Sequence, residues 1–522
     1  MDTRLIIVAP LLLPLLTAAL CALLWQRPRL QRWISVASAF LLLATSVVLL
    51  RQTSSGKILA SQMGHWPAPF GISIVIDTFS AIMLAITGVM AIAVTVYSLG
   101  PGRARRDHAG FHPMLHALLL GVCGSFMTGD IFNLYVWFEV MIIASFGLLV
   151  LDRTAQQIDG GIRYVMLNLI GTTFFLIAVG LLYGLTGTLN LADLARMTPH
   201  VEQRGLLATA GVLLLVSFGA KAAVFPVFNW LPASYHTASM PVAAIFAALL
   251  TKVGVYAILR VYTLLFAHDT SFFGPLFAFL AISTMVVGVL GAAAHYDIRK
   301  ILSFHIISQI GYMLVGVALM TPLAIAGSIL YIVHHIIVKA NLFLVAGAIH
   351  TRSGSYWLAR LGGLWRTAPL LGILFLIPAL SLAGMPPLSG FWGKFAVIRA
   401  SLEVNAYWLA GAALVVSLLT LFSMIKIWNE AFWKAEPVEP APRPTTRVQQ
   451  AATYAPIVVL AAITLTIGLH TEPFARISLA AAHQLLDRDG YIAAVLHSGN
   501  DQAGHSPDSS AVARLIEEDP TQ

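Results

Sequence analysis

Long apolar blocks separated by short polar segments are the dominant pattern along this chain. Stretches of about 20 apolar residues recur from Leu5 to His470, and each is long enough to cross a hydrocarbon core of about 30 Å as an α-helix. The pattern predicts an all-α, polytopic membrane protein of about fourteen spans. Spans 1 to 14 are placed at 4–25, 33–50, 72–99, 112–128, 131–151, 164–187, 205–231, 241–266, 272–294, 302–320, 323–349, 367–400, 406–433 and 451–470.

Composition excludes a water-soluble fold. Of 522 residues, 58% are hydrophobic and 10% are charged, with a mean hydropathy of +0.83, whereas globular domains carry about 25% charged residues. The first apolar stretch is interpreted as span 1 and not as a secretory signal, because Asp2 weakens the basic start and no small-x-small cleavage pattern follows.

The distribution of basic residues predicts the orientation of the chain. The net charge of +8 comes from residues in short loops and not from one stripe, which argues against nucleic-acid binding. With the N-terminus outside, sixteen basic residues lie in inner loops: Arg27, Arg29, Arg32, Arg103, Arg105, Arg106, Arg153, Arg163, Arg299, Lys300, Arg352, Arg360, Arg366, Lys434, Arg443 and Arg447. Six lie in outer segments before the tail: Arg4, Arg51, Lys57, Arg196, Arg204 and Arg399. The positive-inside rule then predicts that both termini are periplasmic, in a bacterial inner membrane.

A faint internal repeat divides the bundle. Tyr164 and Gly180 of span 6 match Tyr331 and Gly347 of span 11 at the same offset. Spans 4–8 and 9–13 would be two five-helix units, and an odd helix count requires that they insert with opposite topology. The predicted division is three N-terminal spans (1–111), a first repeat (112–266), a second repeat (267–435), a loop with span 14 (436–470) and a tail (471–522).

Two spans carry helix breakers at corresponding positions of the repeats. Span 7 contains Pro226 and Pro232, and span 12 contains the run Ala383 to Gly390, which reads AGMPPLSG. We expect discontinuous helices here, and such breaks mark transport paths because free backbone groups are tolerated only beside protein or water. The proline-rich segment 436–444 is interpreted as a spacer loop. The amphipathic stretch from Pro473 to Leu496 is expected to lie along the membrane surface, and the last residues of the chain, about 25 in number, are expected to be disordered.

Ionisable residues inside the spans are the main candidates for function. A charge at bilayer depth costs at least about 2.5–3.5 kcal/mol, so such residues indicate function or a specific partner. They are Glu139, Lys221, Lys252, His305, His334, His335, Lys339, Lys394 and Lys426.

Glu139 and Lys221 are predicted to form a switchable pair. The carboxylate holds the lysine charged when the two are close, and burial favours the neutral amine when they separate. Two structural alternatives remain open at this point. Glu139 could form a fixed ion pair, and Lys221 could bond the free carbonyls of a broken helix.

The remaining candidates continue this pair into a chain. Lys252 would be the next station, and His335 shares one face of span 11 with Lys339 at i, i+4 spacing. Lys394 follows the break in span 12 and would end the path, or would serve as an interfacial anchor. His334 points away from His335, and both His334 and His305 are secondary candidates. Lys426 is expected to pair with Glu430, one turn later.

Motifs for other chemistry are missing from the sequence. It contains no GxxxxGK[ST], HExxH or GxSxG motif, and Cys21 and Cys123 form no CxxC pair. The expectation is therefore a secondary ion transporter and not an enzyme, with no cofactor and no metal.

Four ordered motifs resemble one membrane family. They are KAAVFPVFNWLPASYHTASMPVAAIFAALLTKVGVYAILR (221–260), DIRKILSFHIISQIGYM (297–313), HHIIVKANLFLVAGAI (334–349) and SLAGMPPLSGFWGKF (381–395). They are similar to the antiporter-like subunits shared by respiratory complex I and Mrp-type monovalent cation/proton antiporters. The tail QLLDRDGYIAAVL (484–496) resembles that of the D-type subunits of Mrp antiporters.

This resemblance implies roles for the residues named above. Glu139, Lys221, Lys252, the pair His335 and Lys339, and Lys394 match proton-carrying positions of the family, whereas Tyr331 stands where complex I relatives often have another histidine. It also implies a hetero-oligomeric partner complex and sodium or potassium exchange for protons. The alternatives are a proton-pumping subunit of complex I or of a membrane hydrogenase, and a stand-alone solute carrier.

Overall fold

The fold is described from a computed structural model of the chain. It describes residues 3–102, 106–107, 109–435 and 446–496, without the side chains of Thr3, Arg4 and His65. The predicted spacer loop at 436–444 and the predicted disordered end of the tail lie outside the described residues.

Each predicted span corresponds to helical structure. In chain order the spans are Thr3–Leu23, Pro28–Thr53, Thr78–Ser98, Phe111–Met127, Ile131–Leu149, Ala155–Thr186, Arg204–Ala222 followed by Trp230–Ser234, Met240–Leu264, Thr270–Ala294, Ile298–Leu319, Pro322–Ser353, Pro369–Ala383 followed by Ser389–Glu403, Tyr407–Trp433 and Arg447–Leu469. In the described part of the chain, twelve helices are long and apolar enough to cross a membrane. The other two spans, 4 and 12, contain the shorter apolar helices Phe111–Met127 and Pro369–Ala383. The prediction of an all-α, multi-pass membrane protein is confirmed.

Both expected helix breaks are present. The first part of span 7 ends at Ala222, and Ala223 takes a left-handed conformation with φ 61°. The first part of span 12 ends at Ala383, and Gly384 takes φ 92°, which glycine adopts without the Cβ clash of other residues. Prolines follow in each case, so the helix cannot resume at once. The inverted relationship of the two repeats stays a prediction.

Spans 8 and 11 are the most enclosed helices of the bundle. The most apolar window of span 8 is completely buried and that of span 11 is 94% buried, whereas span 2 reaches 33%. Span 8 also contains a π-helical turn at Phe246–Leu250, directly before Lys252. Polar side chains on these two helices are therefore shielded from lipid by the surrounding spans.

A β-hairpin precedes span 3 where the sequence analysis placed a loop and the start of the span. Strands β1 (Leu59–Gln62) and β2 (Ser73–Ile76) pair antiparallel, with Leu59 opposite Ile76. The helix begins only at Thr78, because the Asp77 side chain accepts a hydrogen bond from Ser80 N and caps it. The predicted start of span 3 at residue 72 was therefore wrong.

The tail packs onto the end of the bundle that carries the hairpin. It forms two helices, Thr471–Leu486 and Arg488–Leu496. Gln484 Nε2 donates to Gly56 O (2.7 Å), and Arg488 donates to Leu264 O (2.9 Å) and Ala195 O (2.6 Å). The two helices are thus fixed to the protein by specific contacts, and their predicted place on the membrane surface stays a prediction.

Candidate proton path through the bundle

Glu139 and Lys221 lie near each other without forming an ion pair. Glu139 is half-buried in span 5, and Lys221 is buried in the last turn of span 7. The two charges interact electrostatically, and Lys221 Nζ lies 5.7 Å from the centre of the Phe138 ring. Among the described residues, neither Lys221 Nζ nor Glu139 Oε1 has a hydrogen-bond partner.

The broken end of span 7 does not use Lys221. Trp230, on the short helix after the break, donates its indole N–H to Ala220 O at 2.8 Å. Val224 N bonds Gly219 O at 2.8 Å in the same turn. These contacts satisfy carbonyls that the break leaves free. Bonding of those carbonyls is therefore not the role of the lysine.

Lys252 is held by the π-helical turn of span 8. A π-turn shifts the hydrogen-bond register, which exposes a carbonyl and often occurs at functional positions. Lys252 Nζ donates to Ala247 O in this turn and to Thr251 Oγ1 (3.2 Å). The ammonium is therefore anchored locally, within a fully buried helix.

A close backbone contact joins the regions of Lys221 and Lys252. A Cβ on Gly254 would lie 2.6 Å from Ala222 N and 2.9 Å from Phe218 O. Only glycine allows this approach of span 8 to the end of span 7. The structure thus places the two lysine-bearing segments side by side, and no direct contact between their ammonium groups is observed in the described residues.

Span 11 brings His335 and Lys339 to the middle of the chain of charges. Both are completely buried, and Lys339 Nζ donates to Leu302 O at 3.1 Å. His335 interacts electrostatically with Lys252 and Lys339. In the described part of the protein, both of its ring nitrogens lack a hydrogen-bond partner. His335 is thus a buried imidazole with both ring nitrogens available for proton exchange.

Lys394 lies at the break in span 12. Its Nζ donates to Ala383 O (3.3 Å) and to Ser417 Oγ (3.1 Å), and lies 4.6 Å from the centre of the Tyr312 ring. The residue is 4% exposed, so the lysine is enclosed by protein and is not an interfacial anchor in this arrangement.

The two secondary histidines have specific partners. His305 Nε2 lies 2.6 Å from Ser423 Oγ, and His334 Nδ1 lies 2.8 Å from Ser389 Oγ. Both also interact electrostatically with Lys339 and Lys394. They therefore lie near the second half of the candidate path.

The expected pair between Lys426 and Glu430 was wrong. Lys426 Nζ donates to Ala293 O (2.7 Å) and His295 O (2.8 Å) at the end of span 9, and Glu430 pairs with Lys434 at 3.0 Å. A lysine side chain is long enough to bond the free carbonyls at the end of a neighbouring helix. The spacing of residues along span 13 does not show that contact.

Sequence reasoning missed two polar groups. Asp77 and Arg260 form a buried ion pair at 2.6 Å, and the Arg260 guanidinium lies over the Tyr491 ring of the tail. Span 13 presents Ser417, Thr420 and Ser423 toward the path. The three-residue spacing of these hydroxyls on one helix face was a signal that could have found them.

The described residues contain no group of three His, Cys, Asp or Glu side chains that could hold a metal ion. Outside the spans, Asp107 belongs to a separate ionic cluster. Burial alone would raise the pKa of Asp107, but hydrogen bonds from His112 and Arg32 outweigh it and hold the pKa below its usual range.

Known proteins are similar to this chain across the region that contains the candidate path residues. A family model described as NADH:quinone oxidoreductase/Mrp antiporter, TM, matches residues 128–420, which contain Glu139, Lys221, Lys252, His335, Lys339 and Lys394. A Na(+)/H(+) antiporter D subunit from Alkalihalophilus pseudofirmus is 43% identical over 491 residues, which cover 94% of this chain and 99% of that relative.

Solved structures agree with this match. A chain in the Mrp complex from Dietzia sp. superposes with a TM-score of 0.88 at 34% identity, covering 95% of this chain and 100% of that chain. A chain of respiratory complex I from Thermus thermophilus has the same fold, with a TM-score of 0.78 at 23% identity over 92% of this chain and 99% of that chain. The resemblance seen in the motifs is confirmed: the chain belongs to the NADH:quinone oxidoreductase/Mrp antiporter membrane family.

Proposed function

We propose that this chain is the D-type subunit of a multi-subunit sodium or potassium/proton antiporter and carries protons along a buried Glu/Lys/His path. The observation that carries the proposal is a series of buried ionisable side chains in the segment matched by the family. Among the described residues, Lys221 Nζ and both ring nitrogens of His335 have no hydrogen-bond partner. The relatives named as D subunits of Na(+)/H(+) antiporters favour antiport over a redox-driven pump, since the likeness to complex I supports the fold alone.

The first step of the proposed mechanism uses Glu139 and Lys221. Burial disfavours a charged lysine, and a nearby carboxylate favours it. A change in their separation therefore loads or releases the Lys221 proton. The absence of a hydrogen-bond partner at Lys221 Nζ, among the residues described, supports a role that depends on movement and not on a fixed bond.

Later steps pass the proton through the centre of the bundle. Lys252 interacts electrostatically with both His335 and Lys339, so a charge gained by one opposes a charge on the others. A proton arriving at Lys252 thereby drives release further along, toward Lys394. In the second repeat no carboxylate corresponds to Glu139, so repulsion between like charges couples one proton transfer to the next.

Orientation belongs to the same proposal. We place both termini in the periplasm of a bacterium with the protein in its inner membrane, on the sixteen-to-six distribution of basic residues given above. The proposal also includes the division of the chain into an N-terminal unit, two inverted repeats, span 14 and a tail. A periplasm-specific reporter fused after Gln522 should therefore be active. Activity of a cytoplasm-specific reporter at this position would contradict the orientation.

Partner subunits are required in this proposal. The sequence contains no nucleotide-binding, redox or metal-binding motif that could drive transport by this chain alone. We expect that the chain alone does not restore sodium tolerance to an antiporter-deficient bacterial strain, whereas co-expression with its partner subunits does. Sodium-dependent proton exchange by the purified single chain, reconstituted in liposomes, would overturn this view and favour a stand-alone carrier.

A further inference from the structure

Three buried side chains in the region of Lys221 carry polar atoms that the protein leaves without a partner. They are Asn168 of span 6, which is 2% exposed, and Ser217 and Lys221 of span 7, which are 2% and 3% exposed. Among the described residues, Asn168 Oδ1, Ser217 Oγ and Lys221 Nζ have no hydrogen-bond partner, and Glu139 Oε1 of span 5 has none either. Because buried polar atoms are almost always bonded, four unpartnered atoms on three consecutive spans point to a ligand.

Aromatic contacts hold spans 5, 6 and 7 together beside these atoms. The ring centre of Phe175 in span 6 lies 5.5 Å from that of Phe138 in span 5 and 4.9 Å from that of Phe218 in span 7. Each of these two partner rings is next in sequence to a residue with an unpartnered atom. Asn168 lies about two helical turns before Phe175, so it is on the face of span 6 that contacts both neighbours.

The end of the first helix of span 7 lies against that face of span 6. A Cβ on Gly171 would lie 3.2 Å from Ala220 Cβ and 3.7 Å from Ser217 O. Consecutive membrane spans run antiparallel, so Asn168, one turn before Gly171, is about level with Lys221. Ser217 precedes Lys221 by four residues and therefore shares its face of span 7.

A series of contacts from Asn168 reaches the break in span 7. Asn168 Nδ2 donates to Tyr164 O at 2.8 Å, and the Tyr164 ring lies 5.3 Å from the ring of Trp230. Trp230 in turn donates to Ala220 O at 2.8 Å. The bond from Nδ2 to a carbonyl fixes the orientation of the Asn168 amide, so its unpartnered atom is the oxygen, an acceptor.

Ser217 departs from the usual bonding of a serine in a buried helix. Ser145 and Ser401 donate to the carbonyls four residues earlier, Met141 O at 2.6 Å and Val397 O at 2.8 Å. Ser217 makes no bond of this kind within the described part of the chain. Its hydroxyl oxygen is therefore available to a ligand.

The three free oxygens suit a monovalent cation. Hard cations take oxygen ligands such as carboxylates and amide carbonyls, and transporters bind their coupling ions at the ends of discontinuous helices. The first helix of span 7 ends at Ala222, and the partial negative charge of a helix C-terminus favours a cation there. Glu139 supplies a single negative charge, which matches an ion of charge +1.

We propose that Glu139 Oε1, Asn168 Oδ1 and Ser217 Oγ bind the sodium or potassium ion that is exchanged for protons. The proposal rests on the proposed function, because it places the exchanged cation beside the first proton-carrying pair. A bound cation and a charged Lys221 repel each other, so the arrival of one favours the loss of the other. For each cation bound, one N–H bond of the Lys221 ammonium breaks and its proton moves along the path, which leaves the charge of the site unchanged.

Removal of single oxygens tests the site. Asn168→Leu and Ser217→Ala are made in the whole complex, and proton exchange in everted vesicles is measured over a range of NaCl concentrations together with subunit abundance. Each change should raise the KM for sodium about tenfold or more and alter the maximal rate less, because an interaction with a charged group is lost. Purified complexes with these changes should also bind sodium more weakly in calorimetric titrations with NaCl.

Two further variants separate cation binding from packing. Ser217→Thr keeps the hydroxyl and should keep the KM for sodium near the wild-type value. Ser401→Ala removes a buried helical hydroxyl of span 12 and should change neither the KM nor the maximal rate. If Asn168→Leu does not assemble, the comparison of Ser217→Ala with Ser217→Thr carries the test.

An unchanged KM for sodium in the Asn168→Leu, Ser217→Ala double variant, at wild-type abundance, would overturn the site. A lower maximal rate with an unchanged KM would overturn it as well, since that result indicates a packing defect. Glu139→Gln in the same assay distinguishes this failure from failure of the proposed function. An inactive Glu139→Gln leaves the proton path standing without the cation site, whereas normal exchange in that variant removes both.

Discussion

Lys221 lies in the last turn of the first helix of span 7, and Lys426 lies about two turns before the end of span 13, yet their ammonium groups have different surroundings. Lys426 Nζ is bonded to carbonyls at the end of span 9, whereas Lys221 Nζ has no partner among the described residues. A bonded ammonium is stabilised in its charged form, and an unbonded one depends on the nearby carboxylate. Of these two lysines, Lys221 is the one that our proposal assigns to proton exchange coupled to Glu139.

Asp107 provides a residue-scale prediction about stability. Its carboxylate accepts hydrogen bonds from Arg32 and His112, and these bonds, acting against burial, lower its pKa. A carboxyl whose pKa is lowered by folding stabilises the protein above the unfolded pKa of about 3.9, and that stability is lost as pH falls through the folded pKa. Asp107→Asn should cost about 2 kcal/mol at neutral pH, and the difference should shrink at more acid pH.

Thermal unfolding of the purified complex in detergent measures this effect. The control is Asp159→Asn, which removes an ion pair between Asp159 and Arg163. These side chains are 64% and 59% exposed, so the melting temperature should not change. Equal melting temperatures for Asp107→Asn and wild type at neutral pH would contradict the stabilising role of the cluster.

At this scale the sequence revealed ionisable residues inside the spans but not the groups that they contact. Glu139, Lys221, Lys252 and Lys394 were recognisable because charge within an apolar stretch is conspicuous in any sequence. The partner of Lys426 was not, because it is a set of backbone carbonyls on another span. A contact between distant segments depends on packing, which the spacing along one helix does not contain.

The break in span 12 is the element on which Lys394 depends. Gly384 caps the first half of the span at φ 92°, and a Cβ there would lie 3.0 Å from Lys394 Cδ. Gly384→Ala should cost roughly 1–2 kcal/mol for the left-handed backbone and should also displace the lysine. We expect a loss of proton exchange larger than any loss of protein, measured in vesicles.

Gly354 is the matched control for this element. It caps span 11 at φ 73° with nothing within 4 Å of its would-be Cβ. Gly354→Ala imposes similar backbone strain without touching a path residue. Equal exchange in the two variants, after correction for abundance, would show that crowding at Lys394 does not matter.

Helix breaks could be predicted where proline and glycine cause them, as in spans 7 and 12. The π-turn at Phe246–Leu250 and the hairpin of β1 and β2 could not. The π-turn occurs in a run of ordinary apolar residues, AIFAALL, whose spacing does not differ from that of a regular helix. The hairpin strands are short, and their apolar residues merged with the predicted start of span 3.

At the scale of the whole molecule, two enclosed helices contain the central residues of the proposed path. Spans 8 and 11 hold Lys252, His335 and Lys339 away from lipid, and the discontinuous spans 7 and 12 hold Lys221 and Lys394 on either side. Hydrophobic length predicted the apolar helices, of which twelve in the described part of the chain are long enough to cross a membrane. It could not predict which spans would be enclosed, because all of them are apolar.

The central claim is that separation of Glu139 and Lys221 moves a proton, and it is tested most directly at Glu139. Cation-dependent proton exchange and the abundance of each subunit are measured together in vesicles containing the whole complex. The account predicts that Glu139→Gln abolishes exchange at wild-type abundance, because the amide cannot hold a charged lysine, and that Glu139→Asp keeps part of it. As a control, Glu430→Gln removes only a partly exposed ion pair with Lys434 and should leave proton exchange at the wild-type rate. Normal exchange in Glu139→Gln, or a loss that only follows lost protein, would contradict the account.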